Sequence, residues 1–117
     1  MDMQNITYWA EKQSELGYVS RWSIGDHLKM EDVVSGDTNH LVTYTVYAKN
    51  ATIEQLLSQT APEVTFRAIA KDGSVAELYR AAEQVIKEAV AVEGDWHIYI
   101  EGFTRSSDGS LSLVTGS

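Results

Sequence analysis

The sequence of 117 residues predicts an α+β fold, in which helices pack on one face of a mixed or antiparallel sheet. Two observations predict this class. From about residue 75 to about residue 92, apolar residues recur every three or four positions, as in a long amphipathic helix. Several other stretches alternate apolar and polar residues as strands do. Counting those stretches gives a sheet of about four to five strands. The length fits one domain, residues 1–117.

The sequence of the N-terminal part predicts a helix from about residue 5 to about residue 16. Gly17 is suited to the left-handed conformation that ends a helix. Residues 18–24 then alternate like a strand. Residues 27–39 fit a short strand or a loop equally well, and the small and polar residues at 35–39 predict a turn.

The middle of the chain predicts two strands that flank a short helix. Residues 40–48 and 64–70 alternate with β-branched and aromatic residues. Between them, Thr52 and Gln55 have the spacing of a capping box, in which each side chain binds the backbone amide of the other. This pattern predicts a helix over residues of about 52–60.

The long helix has the clearest boundaries. Ser74 followed by Glu77 predicts a second capping box, and Gly94 is placed to end the helix. Opposite the apolar stripe, Glu83 and Lys87 have the spacing of a solvent-exposed ion pair.

The C-terminal part predicts a hairpin. Residues 96–104 and 110–115 read as strands, and the loop between them contains Gly109. Trp96 falls in register with the apolar residue Ile98, so we expect its side chain in the core.

Composition excludes several functional classes. Nine basic against seventeen acidic residues give a formal charge of −8, and the basic residues are scattered, so nucleic acid is not expected as a ligand. No apolar run is long enough to cross a membrane. The absence of cysteine suits a reducing compartment, and we expect a cytoplasmic protein. No metal site and no cofactor are expected, because the histidines and glycines lack the spacings of metal-binding and phosphate-binding motifs.

The strongest candidate for chemistry is the alternating set His97, Tyr99 and Glu101. Alternate residues of a strand project from one face about 6.6 to 7 Å apart, so one ligand can span them. An imidazole beside a carboxylate suits general acid–base catalysis, with the phenol as a hydrogen-bond donor. The same pattern is also typical of an ordinary solvated strand.

We expect this set to share the sheet face that the helices leave uncovered. That face is too aromatic for a solvated surface and too polar for a core, which favours a ligand groove or a subunit contact. Its predicted members are Thr43, Thr45, Tyr47, Thr65, Arg67, His97, Tyr99 and Glu101. Trp22 is a further candidate, with a core position and an exposed aromatic site as equal alternatives.

The sequence therefore predicts a small, non-enzymatic domain that self-associates as a homodimer or larger assembly and presents this face to a small molecule or a protein. One alternative is a small enzyme that uses His97 and Glu101 as acid and base, with Tyr99 or Arg67 stabilising charge. A third hypothesis is an acidic inhibitor that covers a basic protein surface.

Overall fold

The computed structural model describes residues 3–24 and 27–116, with side chains from residue 6 onward. The α+β prediction is confirmed: a five-stranded mixed sheet packs against a long helix, and shorter helices complete the fold. In chain order, the elements of the described residues are α1 (Met3–Leu16), β1 (Arg21–Trp22), β2 (Val33–Tyr47), α2 (Ile53–Leu57), β3 (Glu63–Ser74), α3 (Val75–Glu93), β4 (Tyr99–Arg105) and β5 (Leu111–Gly116).

The strands lie in the order β1-β4-β5-β2-β3. The predicted hairpin is confirmed, because β4 and β5 pair antiparallel. The long β2 pairs antiparallel with β3 and parallel with β5, and β1 pairs parallel with β4. The sheet thus joins two antiparallel pairs through a parallel contact between β2 and β5.

Helix α3 covers one face of this sheet with the apolar stripe that the sequence predicts. Val85 and Ile86 are fully buried, and the helix ends at Gly94 in the left-handed conformation. Ser74 caps the helix by accepting a hydrogen bond from the amide of Glu77 at 3.2 Å. The second half of the predicted capping box is wrong, because the Glu77 carboxylate instead accepts from the amide of Lys71 and pairs with Arg80.

Glu83 contradicts the prediction of a solvated helix face. Its side chain is only 4% exposed, and its carboxylate accepts hydrogen bonds from the amides of Val19 at 2.8 Å and Ser20 at 3.1 Å. These amides are unavailable to a strand ladder, which explains why the strand predicted over 18–24 is only Arg21–Trp22. A buried carboxylate is tolerated here because backbone donors satisfy it.

Trp22 belongs to the core. Its indole stacks on Trp9 of α1 at a centroid distance of 5.6 Å and packs at 5.2 Å against the buried ring of Tyr79. Of the two alternatives for Trp22, the structure therefore shows the core position, and Trp22 is not an exposed binding residue of the chain. Trp9 also contacts Tyr79 at 5.8 Å, so this aromatic cluster attaches α1 to α3.

The turn predicted at residues 35–39 is wrong, since this segment continues β2. The pairing of β2 with β3 shifts register between Val33 and Ser35 and again between Ser35 and Thr38. Gly73 lies so close to Ser35 that a Cβ atom would overlap the Ser35 carbonyl oxygen. Turn-forming residues are therefore accommodated as bulges, which bend a strand without ending it.

The capping box of α2 is confirmed. The amide of Gln55 donates to the Thr52 hydroxyl at 3.1 Å, and the amide of Thr52 donates to the Gln55 side chain at 2.9 Å. The helix is shorter than predicted and has no buried side chain.

We call the sheet face opposite α3 the open face, because no described helix buries it. Its members alternate with the buried residues of β2, β3 and β5, and Tyr47, Ile69 and Val114 among them are exposed apolar side chains. None of the described helices has the length and hydrophobicity needed to span a bilayer.

Candidate functional site

A cleft opens where two parallel strands stop pairing. Strands β2 and β5 are paired only at Val42 with Leu111 and Thr43 with Ser112. Past these pairs, the C-terminal end of β2 and the end of β5 are joined by side chains instead of a backbone ladder. The segment that follows α3 closes the gap from the helix side.

This cleft has a volume of about 500 Å³, a size suited to a small ligand. It lies at the end of the sheet and is reached by side chains from both sheet faces, since successive residues of β2 line it. The lining residues, which we call the Tyr44 cleft, are Tyr44, Thr45, Val46, Tyr47, Glu63, Glu93, Gly94, Asp95, Trp96, His97 and Thr115.

Three side chains of the Tyr44 cleft form a hydrogen-bonded chain. The Tyr44 hydroxyl donates to Oδ2 of Asp95 at 2.6 Å, and the other Asp95 oxygen lies 2.7 Å from Nδ1 of His97. Asp95 is 6% exposed, whereas His97 is 37% exposed. Because an ionised carboxylate only accepts, Nδ1 is assigned as the protonated nitrogen, and Nε2 has no hydrogen-bond partner among the described residues.

Burial and the hydrogen bond to Asp95 raise the pKa of the Tyr44 phenol well above its usual value. Tyr44 therefore stays protonated and remains a donor. Thr115 adds a further hydroxyl contact at 3.1 Å to the same phenol. The position of Asp95 is consequently fixed by β2, and Asp95 in turn fixes the orientation of the imidazole.

Two aromatic side chains of the cleft are open to solvent. Tyr47 is 58% exposed and Trp96 is 65% exposed. The indole of Trp96 stacks on the imidazole of His97 at a centroid distance of 4.0 Å. The prediction of Trp96 as a core residue is wrong, because β4 begins only at Tyr99 and the strand register assumed for Trp96 does not exist.

The structure separates the residues that the sequence grouped together. Tyr47 and His97 line the Tyr44 cleft, whereas Arg67, Tyr99 and Glu101 do not. Arg67 lies on the open face between the buried residues of β3. Tyr99 lies under the guanidinium of Arg21, 6.0 Å from it.

Glu101 falls at the register shift of β4, where its carboxylate covers Gly116. The partner of His97 is therefore Asp95, two residues earlier in the chain, and not Glu101. Tyr99 and Glu101 flank the buried Ile100 on β4 as expected, but His97 precedes the strand, so the three residues do not form one alternating set.

Sequence reasoning missed four acidic or phenolic members of the cleft: Tyr44, Glu63, Glu93 and Asp95. Two signals were available. A tyrosine on a buried strand face needs a partner for its hydroxyl, and an aspartate directly after a helix-ending glycine lies where the chain turns back toward the sheet. The pairing of Tyr44 with Asp95 depends on the parallel contact of β2 with β5, which no local pattern indicates.

No group of three or more histidine, aspartate or glutamate side chains in the described part of the chain is arranged to hold a metal ion. Comparison with models of known protein families, with curated proteins and with solved structures gives no significant match. The function is therefore argued from the geometry of the Tyr44 cleft and the open face.

Proposed function

We propose that this protein is a small, non-enzymatic binding domain that accepts a small molecule in the Tyr44 cleft and self-associates through the open face of its sheet. The observation that carries the proposal is the chain Tyr44–Asp95–His97 beside two exposed aromatic rings. Fixed polar groups combined with aromatic walls are the usual composition of a small-molecule site. The imidazole is positioned before any ligand arrives, which lowers the entropic cost of binding.

The geometry favours binding over catalysis. The enzyme alternative needs His97 and Glu101 to act on one substrate, and Glu101 does not line the cleft. The contact of Asp95 with Nδ1 orients the imidazole for binding and for proton transfer alike, but neither a serine nor a cysteine lines the cleft as a nucleophile. The free Nε2 is well placed to receive a hydrogen bond from a bound molecule.

Self-association is supported by the composition of the open face. Ile69 on β3 and Val114 on β5 are apolar and exposed, and Arg67 and Thr65 lie on the same face of β3 as Ile69. Two sheets can pack face to face at about 10 Å, so a second copy of the same face would cover these residues. An isologous pair uses one surface twice, as most homodimers do.

The cytoplasm is the compartment that we propose, supported by the lack of cysteine. The hypothesis of an acidic inhibitor gains less support, since three of the seventeen acidic residues line the Tyr44 cleft and the others are scattered along the chain. A cleft suits a small ligand better than a flat protein partner.

The binding proposal is tested with a mixed panel of cationic, neutral and anionic aromatic fragments, added to the isotope-labelled full chain and followed by NMR. Fragments that bind should shift the amide signals of Tyr47, Gly94 and Trp96 more than those of the open face. Trp96→Ala should abolish these shifts, because it removes an exposed aromatic wall. Tyr99→Ala is the matched control, since it removes an exposed aromatic ring outside the cleft and should leave the shifts in place.

A panel in which no fragment shifts the cleft signals would contradict the binding proposal. An equal loss of the fragment-induced shifts in Trp96→Ala and Tyr99→Ala would also contradict the proposal, because binding would then not depend on the cleft.

A further inference from the structure

We infer that the ligand of the Tyr44 cleft is an organic cation, a protonated amine attached to a flat apolar body. This inference rests on the proposed function, namely that the cleft binds a small molecule. It adds the chemical class of that molecule, which follows from the charges and rings that face the cleft.

The charges of the cleft are one-sided. Three carboxylates line it, those of Glu63, Glu93 and Asp95, and neither lysine nor arginine is among its lining residues, all of which are described. Asp95 is committed to Tyr44 and His97. No ion pair within the described part of the chain neutralises Glu63 or Glu93, although one oxygen of Glu93 accepts from the amide of Lys49 at 3.0 Å.

An uncompensated pair of carboxylates in a concave site attracts cations, because low-dielectric walls concentrate the field. The net charge of −8 adds a long-range attraction of the same sign. An anionic ligand would meet Glu63 and Glu93 without any cationic side chain of the lining to offset the repulsion.

The aromatic rings select an organic cation over a bare metal ion. Trp96 and Tyr47 are the two exposed rings of the cleft, and tryptophan is the best aromatic partner for an ammonium group. The imidazole of His97 stacks on the indole, so the indole is held in place while most of its surface stays accessible. A ligand with a flat body can lie against these rings and direct its charge toward the carboxylates.

His97 is compatible with this ligand in its neutral form. Asp95 accepts a hydrogen bond from Nδ1–H, which leaves Nε2 as an acceptor that can bind an N–H of the ligand. The carboxylates and the neutral Nε2 accept hydrogen bonds and do not donate them, so these groups match an ammonium donor.

The test compares three indoles of nearly equal size by NMR titration of the labelled full chain: tryptamine, a cation, tryptophol, a neutral alcohol, and indole-3-propionate, an anion. We expect tryptamine to bind at least about tenfold more tightly than tryptophol, in line with a combined cation–π and carboxylate interaction. Indole-3-propionate should bind more weakly than tryptophol.

Charge-removing variants locate the effect. Glu63→Gln and Glu93→Gln should each weaken tryptamine binding several-fold and leave tryptophol binding unchanged, because the shape of the cleft is kept. Glu88→Gln is the matched control, since Glu88 is an exposed residue of α3 outside the cleft lining. It removes the same net charge and should have little effect on tryptamine.

Equal binding of tryptamine and tryptophol would overturn the cation inference while leaving the binding proposal in place. A loss of tryptamine binding in Glu88→Gln as large as that in the two cleft variants would overturn the cation inference as well. The net charge of the protein, and not the cleft, would then account for tryptamine binding. If none of the three indoles binds, the cation inference fails, and the mixed panel decides separately whether the cleft binds other molecules.

Discussion

The hydroxyl of Tyr44 lies 2.6 Å from Oδ2 of Asp95, although the two residues are 51 positions apart in the chain. This hydrogen bond connects the C-terminal part of β2 with the segment that follows α3. It closes the end of the sheet where β2 and β5 no longer pair, and it holds the carboxylate that orients His97. The site and the fold therefore share one interaction.

Replacing Tyr44 with Phe removes this hydrogen bond and keeps the ring in the core. We expect the free energy of unfolding to fall by about 0.5 to 1.5 kcal/mol, the net value of a typical hydrogen bond, or more because the acceptor is charged. Urea unfolding at neutral pH measures the change, with an unchanged slope as evidence of an intact native state. Tyr47→Phe is the control and should stay within about 0.5 kcal/mol of the parent, since Tyr47 is exposed. Equal stability of both variants would contradict a structural role for the Tyr44 hydroxyl.

The elements of the fold were predictable where local chemistry determines them. The apolar stripe and the Ser74 cap predict α3, and alternation predicts the parts of β2 and β3 that pack on it. The hairpin of β4 and β5 follows from its glycine-containing loop. In each case the pattern that predicts the element lies in residues that are close in sequence.

The site was predictable only in part, because its partners are distant in sequence. Tyr47 and His97 were selected for their chemistry and do line the cleft, but the acidic partner was assigned to Glu101 instead of Asp95. The assignment assumed an uninterrupted strand, whereas β4 begins after His97 and contains a bulge. Glu83 was missed for a related reason: a charged residue opposite the apolar stripe of a helix is normally exposed, and only the distant amides of Val19 and Ser20 make its burial favourable.

Glu83→Ala should be strongly destabilising. The substitution leaves the amides of Val19 and Ser20 without an acceptor, and each buried unsatisfied donor costs about 1 to 3 kcal/mol. We therefore expect a loss of about 2 to 4 kcal/mol in urea unfolding. Glu88→Ala, on the exposed side of the same helix, should change stability by less than about 0.5 kcal/mol. An equally small change in stability for Glu83→Ala would contradict this prediction, because water would then satisfy the two amides as well as the carboxylate does.

Stability should decrease at alkaline pH because of Tyr79. Burial raises the pKa of Tyr79 to about 12, against about 10 in an unfolded chain. Between these values the native state holds a proton that the unfolded state has released, so the free energy of unfolding falls as pH rises. The stabilisation that Tyr79 contributes is fully present below pH of about 10. Above that pH, titration of Tyr79 lowers the free energy of unfolding by at most about 1.4 kcal/mol per pH unit. Tyr44 acts in the same direction, since its pKa is also raised.

Tyr79→Phe separates the contribution of Tyr79 to the alkaline loss of stability from that of Tyr44. The variant should be less stable at neutral pH by about 1 to 3 kcal/mol, because the carbonyl of Ser20 loses the hydroxyl that binds it at 2.8 Å. Its stability should decline less steeply above pH of about 10 than that of the parent. Unfolding curves collected across this range provide the measurement, and Tyr47→Phe should reproduce the parent slope. Parallel curves for the parent and Tyr79→Phe would exclude Tyr79 as a source of the alkaline loss.

Self-association through the open face predicts a particle of about twice the chain mass of 13.0 kDa in light scattering. Ile69→Lys places a charge on this face, on an exposed side chain of the edge strand β3, so folding should be unaffected. The charge would be desolvated in a face-to-face pair, and we expect the dissociation constant to rise at least about tenfold. Val92→Lys is the matched control, because Val92 is a similarly exposed apolar residue of α3 on the opposite side of the sheet. It should leave the assembly intact. A parent protein that remains at 13.0 kDa at high concentration, or an equal effect of both lysine variants, would contradict the open face as the contact surface.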